Sequence, residues 1–184
     1  MSWSLPFYLI VRTTRRAFVF SCVSIVSMCP AIAQDSSPFT SEIGTPEALV
    51  TKCLQQAAAG EVTQDSCIGT YTGACVSTAF TTADMVGCVS SEAEVWEARM
   101  SAAYEVLLDV YGEQDADEDK IWALAPRLET LQDQWADWRA AKCGFEYAKF
   151  RGGSMGRITG ANCHLDETAN RVFELEILLE EARL

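Results

Sequence analysis

Cysteine is the residue type whose number and spacing most clearly predict chemistry in this chain. Six cysteines follow residue 33: Cys53, Cys67, Cys75, Cys88, Cys143 and Cys163. None forms a C-x-x-C motif and the only histidine is His164, so no metal site, redox site or cofactor is predicted. An even number of cysteines in an exported chain is typical of disulfides. Of the many possible connectivities, sequence proximity favours Cys53–Cys67, Cys75–Cys88 and Cys143–Cys163.

The segment between the last two cysteines, CGFEYAKFRGGSMGRITGANC, combines glycines with cations. Across residues 142–157 only one acid, Glu146, accompanies the cations Lys142, Lys149, Arg151 and Arg157. One interpretation is a tight return between antiparallel helices, which glycine permits. The other is a projecting loop that enters a partner's cleft. Its candidate partner-binding residues are Arg151, Gly152, Gly153, Ser154 and Arg157.

Recognisable catalytic motifs are missing from the sequence. It contains no G-x-S-x-G motif and no phosphate loop, and oxidised cysteines could not serve as nucleophiles. The acidic run DADEDK departs from a calcium loop, because Lys120 stands where glycine is required and Pro126 where glutamate is required. His164 is interpreted as a surface or capping residue. The chain is therefore predicted not to be an enzyme.

Three tryptophans, Trp122, Trp135 and Trp138, are predicted to pack in the core. Trp135, Arg139 and Cys143 follow one another at four-residue steps, which places them on one face of a helix. Arg139 is then expected to be partly buried near a disulfide. A buried guanidinium needs a carboxylate or carbonyl partner.

Residues 1–33 have the features of an export signal. Arg12, Arg15 and Arg16 precede an apolar run that is too short for a stable membrane anchor, and the sequence AIA precedes Gln34. Both the Sec route and the twin-arginine route remain open. We predict cleavage near Ala33 and a periplasmic or secreted mature protein with no membrane span.

Charge limits the classes of partner. The formal net charge is −12, and it becomes −15 without the three arginines of residues 1–33. Such a charge disfavours nucleic acid and anionic membranes, and it favours either a basic protein partner or simply high solubility. We expect the mature chain to be a monomer.

Apolar periodicity predicts the helices. A short helix is predicted to begin at Pro46. The first long helix is predicted to begin at a capping box at Ser91 and to end at Gly112. Apolar residues three and four apart predict two more helices, over Leu124–Trp138 and Leu165–Leu179. The predicted fold is all-α: a small disulfide-stapled helical bundle with an irregular cysteine-rich N-terminal segment. Residues 34–66 form a lead-in with a short helix, and residues 67–184 form the helical domain.

Three stretches of the C-terminal half, QDQWADWRAAKC, GGS and CHLDETANR, form a recognisable pattern. Its residues are Trp135, Arg139, Cys143, Gly152, Gly153, Ser154, Cys163, Thr168 and Arg171. This pattern resembles that of the LprI-type lysozyme inhibitor family. The helix CVSSEAEVWEARMSAAYEVLL is also similar to the first helix of the family, and the similarity spans roughly residues 67–184.

The resemblance implies an exported protein that binds lysozyme and protects the peptidoglycan of the producing cell. An acidic body would be steered towards a basic lysozyme, and the basic loop would meet the carboxylates of its cleft. The alternative is a periplasmic envelope interaction module without lysozyme activity, in which the motif residues serve only the fold.

Overall fold

The computed structural model describes residues 43–117 and 120–184, and the predicted export signal lies outside them. The described residues form five α-helices and no strand, which confirms the all-α prediction. The helices are α1 (Pro46–Ala58), α2 (Thr70–Val76), α3 (Thr82–Gln114), α4 (Ala125–Ala148) and α5 (Ser154–Ala182). Short 3-10 turns occupy Gln64–Cys67 and Asp115–Asp117. None of the helices in this part of the chain is long and apolar enough to cross a bilayer.

Local capping explains where the helices begin. Helix α1 begins at Pro46 as predicted, because proline suits the first turn and the Thr45 hydroxyl accepts a hydrogen bond from the Ala48 N–H. The capping box predicted at Ser91 is wrong, since Thr81 and Asp84 form the box that starts α3. The predicted end at Gly112 is also wrong, because α3 continues to Gln114.

Helices α3 and α5 form the centre of the bundle. Trp96 of α3 meets Phe173 of α5 edge to face, with ring centroids 5.5 Å apart. Leu107, Leu165 and Leu175 are fully buried in the same core. Helix α1 packs on α3 and α2, and α4 packs mainly on α5 with few contacts to α3.

The expectation that all three tryptophans pack in the core is wrong for two of them. Trp122 is 67% exposed and Trp138 is 49% exposed, whereas Trp135 packs against the core. Leu128 is the buried leucine of α4, and Leu131 faces solvent. For Trp138 and Leu131 the physical reason is that α4 rests chiefly on one neighbouring helix, so only a narrow stripe of its surface is covered. Trp122 lies outside the helix, in the turn that precedes α4.

Three disulfides among the described residues join elements that follow one another in the chain. Their pairing is the one that sequence proximity favours. Cys53–Cys67 joins α1 to the turn that follows it, Cys75–Cys88 joins α2 to α3, and Cys143–Cys163 joins α4 to α5. The cysteine-rich N-terminal segment, predicted to be irregular, is partly helical, because it contains the 3-10 turn Gln64–Cys67 and the short helix α2.

Candidate partner-binding site

The α4–α5 connection is a tight hairpin tip, which we define as residues 149–153 together with the first turn of α5. The Arg151 N–H donates to the Ala148 carbonyl at 2.9 Å, and the Gly153 N–H donates to the Phe150 carbonyl at 2.8 Å. Arg151 and Gly152 have positive φ angles of 49° and 85°. Glycine adopts such angles without strain, so Gly152 suits the sharp reversal of the chain.

The two helices approach closely just below the tip. A Cβ atom added to Gly156 would lie 2.7 Å from the Tyr147 carbonyl oxygen, so this position requires glycine. Further along, the Cys143–Cys163 disulfide holds the helices at a Cα–Cα distance of 5.4 Å. The tip is therefore fixed by its own hydrogen bonds, by a close helix contact and by a covalent link.

The side chains of the tip face solvent. Arg151, Ser154 and Arg157 are exposed, as are the backbones of Gly152 and Gly153. Of the other cations in this region, Lys142 pairs with Glu167 and Lys149 pairs with Glu146. Among the described residues, neither Arg151 nor Arg157 forms an ion pair, so the tip keeps two positive charges.

Arg139 occupies a different site, on the other side of the disulfide. Its guanidinium donates two hydrogen bonds to Glu97, from Nη1 to Oε2 at 2.7 Å and from Nη2 to Oε1 at 3.1 Å. Nη1 also donates to the Thr168 hydroxyl at 2.6 Å, and the guanidinium lies over the Trp135 ring at 4.6 Å. Arg139 thus joins α4 to both central helices, with the carboxylate partner that its burial requires.

Arg171 also lies close to the Trp135 ring. Its guanidinium is 5.7 Å from the Trp135 ring centroid, its Nε donates to Gln132 at 3.0 Å, and its Nη1 donates to Glu174 at 2.9 Å. Arg171 is buried in the interface between α4 and α5. The motif residues Trp135, Arg139, Thr168 and Arg171 therefore form one cluster that fastens the helices together, and they do not reach the tip.

A shallow groove of about 410 Å³ borders this cluster, lined in part by Glu94, Glu97, Arg139 and His164. Burial of Glu97 opposes its ionisation, but the hydrogen bond and charge of Arg139, with the Thr168 hydroxyl, outweigh burial and lower its pKa. Partial burial lowers the pKa of His164, and the Arg139 charge acts in the same direction. These two effects outweigh the nearby Glu97 charge, so the neutral form of His164 is favoured beside the Arg139–Glu97 ion pair.

Replacing Glu97 by glutamine should lower the free energy of unfolding at pH 7 by about 1 kcal/mol, a modest value because solvent screens the half-exposed carboxylate. The folded-state pKa of Glu97 lies below its ordinary value of 4.5. The ionised Glu97 side chain therefore contributes its full stabilisation to the folded state at a pH above 4.5. This contribution is lost as the pH falls through the lowered pKa of the folded state. Urea unfolding of both proteins between pH 7 and pH 3 should show curves that converge in acid, whereas Glu94→Gln should leave stability unchanged at every pH.

Comparisons with known proteins identify the family of this chain. The family model for the lysozyme inhibitor LprI matches residues 75–175, which include α3, α4 and most of α5. A Rhodobacter capsulatus protein, described as an uncharacterized 17.7 kDa protein in the puhA 5' region, is 31% identical over 137 residues. That alignment covers 67% of this chain and 80% of the relative. No solved structure matches the chain. Because the family match spans more than half of its residues, the protein belongs to the LprI lysozyme inhibitor family.

Proposed function

We propose that this protein binds a basic lysozyme and inhibits it by occluding its cleft. Membership of a family named for lysozyme inhibition supports this function. The net charge of −12 supports it independently, because an acidic surface accelerates encounter with a basic partner. Three disulfides suit an oxidising compartment, so we place this encounter in the periplasm or outside the cell.

The observation that carries the mechanism is the exposed, rigid hairpin tip, whose two arginines form no ion pair within residues 43–117 and 120–184. Lysozymes cleave glycosidic bonds with two carboxyl groups in a cleft, at least one of them ionised. Arg151 and Arg157 offer positive charge to such carboxylates, and Ser154 offers a hydroxyl. A tip that is already ordered loses little conformational entropy when it enters the cleft.

The first experiment is an inhibition assay with chicken-type, goose-type and invertebrate-type lysozymes. The oxidised protein should inhibit at least one type at low salt. Inhibition should weaken as salt is raised to moderate concentration, because salt screens attraction between surface charges. If no lysozyme is inhibited, the proposed function fails and an envelope interaction module without lysozyme activity takes its place.

The double substitution Ser154→Ala with Arg157→Ala should raise the inhibition constant about ten- to hundredfold, since both residues would contact the cleft. The matched control is Ser101→Ala with Arg183→Ala. That pair removes the same groups from exposed positions on α3 and at the C-terminal end of α5. Full potency of the tip variant would remove the tip from the mechanism, even if the unaltered protein inhibits strongly.

A further inference from the structure

Two aromatic–lysine pairs repeat along the exposed side of α4. Trp138 and Lys142 are four residues apart, with the lysine Nζ 4.9 Å from the ring centroid. Phe145 and Lys149 repeat this arrangement seven residues later at 5.9 Å. Both rings remain open to solvent, with 49% of Trp138 and 66% of Phe145 exposed. We call these four residues the α4 ridge.

The ridge leads directly into the hairpin tip. Positions seven residues apart lie on nearly the same side of a helix, so the two rings follow one line along α4. Phe145 stands within one turn of the C-terminal end of α4, and Phe150 and Met155 of the tip are also exposed. The apolar surface of the ridge is thus continuous along the chain with the tip.

The size of a stable interface indicates that the tip cannot act alone. Stable protein complexes bury about 800 Å² on each partner and use roughly 20 to 30 residues. The five candidate residues of the tip are far fewer than that. Any complex made by the tip must therefore include neighbouring surface, and exposed aromatic side chains are the groups that contribute most to binding.

The charge of the whole chain, and not that of the ridge, selects among possible occupants, because the ridge lysines are already paired with carboxylates of this chain. A second copy of this chain is disfavoured, because each copy carries a formal net charge of −12. The polysaccharide cleft of a lysozyme suits the ridge better, since it has an apolar pocket around one carboxyl group and a second carboxyl group that is ionised. Flat rings would fill the apolar part, and the two arginines of the tip would face the carboxylates.

We infer that the α4 ridge and the tip together form one extended surface that lies along the lysozyme cleft. This inference rests on the proposed function. It adds Trp138 and Phe145 to the inhibitory contact, with Lys142 and Lys149 beside them. The acidic remainder of the protein would then face the basic surface around the cleft.

The test compares Trp138→Ala and Phe145→Ala with two matched controls in the full chain. Trp122→Ala removes a 67% exposed tryptophan that precedes α4, at the end remote from the tip, and Phe80→Ala removes a 90% exposed phenylalanine that precedes α3. Each ridge variant should raise the inhibition constant about tenfold. Each control should leave it unchanged, and all four proteins should keep the unfolding temperature of the unaltered chain.

The outcomes separate this inference from the function on which it rests. If the unaltered protein inhibits a lysozyme and the ridge variants inhibit as well as their controls, the inference about the ridge is overturned and the proposed function stands. If the unaltered protein inhibits no lysozyme, both are overturned. Equal losses in ridge variants and controls would also overturn the ridge, because general surface apolarity would then explain the binding.

Discussion

Replacement of Glu92 by alanine is expected to lower the free energy of unfolding by about 4 kcal/mol. This carboxylate is fully buried between α3 and α2. It accepts hydrogen bonds from the backbone N–H groups of Gly69 and Thr72, both at 2.7 Å, and from the Trp96 indole at 3.2 Å. Alanine would leave these three donors without their acceptor, one of them in a buried hydrogen bond and two in part-buried ones, and each unsatisfied buried donor costs about 1–3 kcal/mol.

Urea unfolding followed by circular dichroism measures this loss. Glu105→Ala is the matched control, because it removes an exposed glutamate from the same helix and should change stability by less than about 0.5 kcal/mol. Glu92→Gln should also destabilise the protein, since its amide NH₂ group would face a backbone donor. A loss below about 1 kcal/mol for Glu92→Ala would show that water replaces the carboxylate and that Glu92 does not hold α2 in place.

The role of Glu92 illustrates what a single sequence can and cannot predict. Ser91, Glu92 and Glu94 match a capping-box pattern, and local pattern alone therefore places a helix start there. Two of its three donors, the backbone N–H groups of Gly69 and Thr72, lie about 20 residues earlier in the chain. Only the tertiary fold brings that segment against α3, so no local signal could identify Glu92 as a buried acceptor.

The disulfides and the helices were more accessible to prediction. Each disulfide joins cysteines that are neighbours in sequence, and the bundle keeps consecutive elements adjacent in space. Leu165, Val172 and Leu175 are buried as the periodicity of α5 predicts. The exposure of Trp138 was not predictable in this way, because periodicity marks an apolar face without showing how much of it a neighbouring helix covers.

The candidate site likewise has features that the sequence predicts and features that only the fold reveals. The need of Arg139 for an anionic or carbonyl partner follows from its position on a helix face with Trp135 and Cys143. Its partner Glu97 lies 42 residues earlier, and nothing in the spacing of the sequence distinguishes this glutamate from its neighbours. The same is true of Gln132, which accepts a hydrogen bond from the buried Arg171.

Removal of the Cys143–Cys163 disulfide by double alanine substitution should lower the free energy of unfolding by about 3 kcal/mol. The cysteines are separated by 20 residues, and the bond restricts the unfolded chain by closing that loop. Thermal unfolding should show a fall in Tm of several degrees. The control is double alanine substitution of Cys75 and Cys88, which opens a similar loop of separation 13 and should differ by only a few tenths of a kcal/mol.

These two variants separate stability from preorganisation of the tip. The Cys143–Cys163 bond lies between the motif cluster and the tip, whereas Cys75–Cys88 joins α2 to α3. At a temperature where both variants are folded, loss of the first bond frees the ends of α4 and α5 and should weaken lysozyme inhibition about tenfold. Loss of the second should leave inhibition unchanged. Equal inhibition by both variants would mean that backbone hydrogen bonds and the close contact at Gly156 suffice to hold the tip, and that the disulfide serves stability alone.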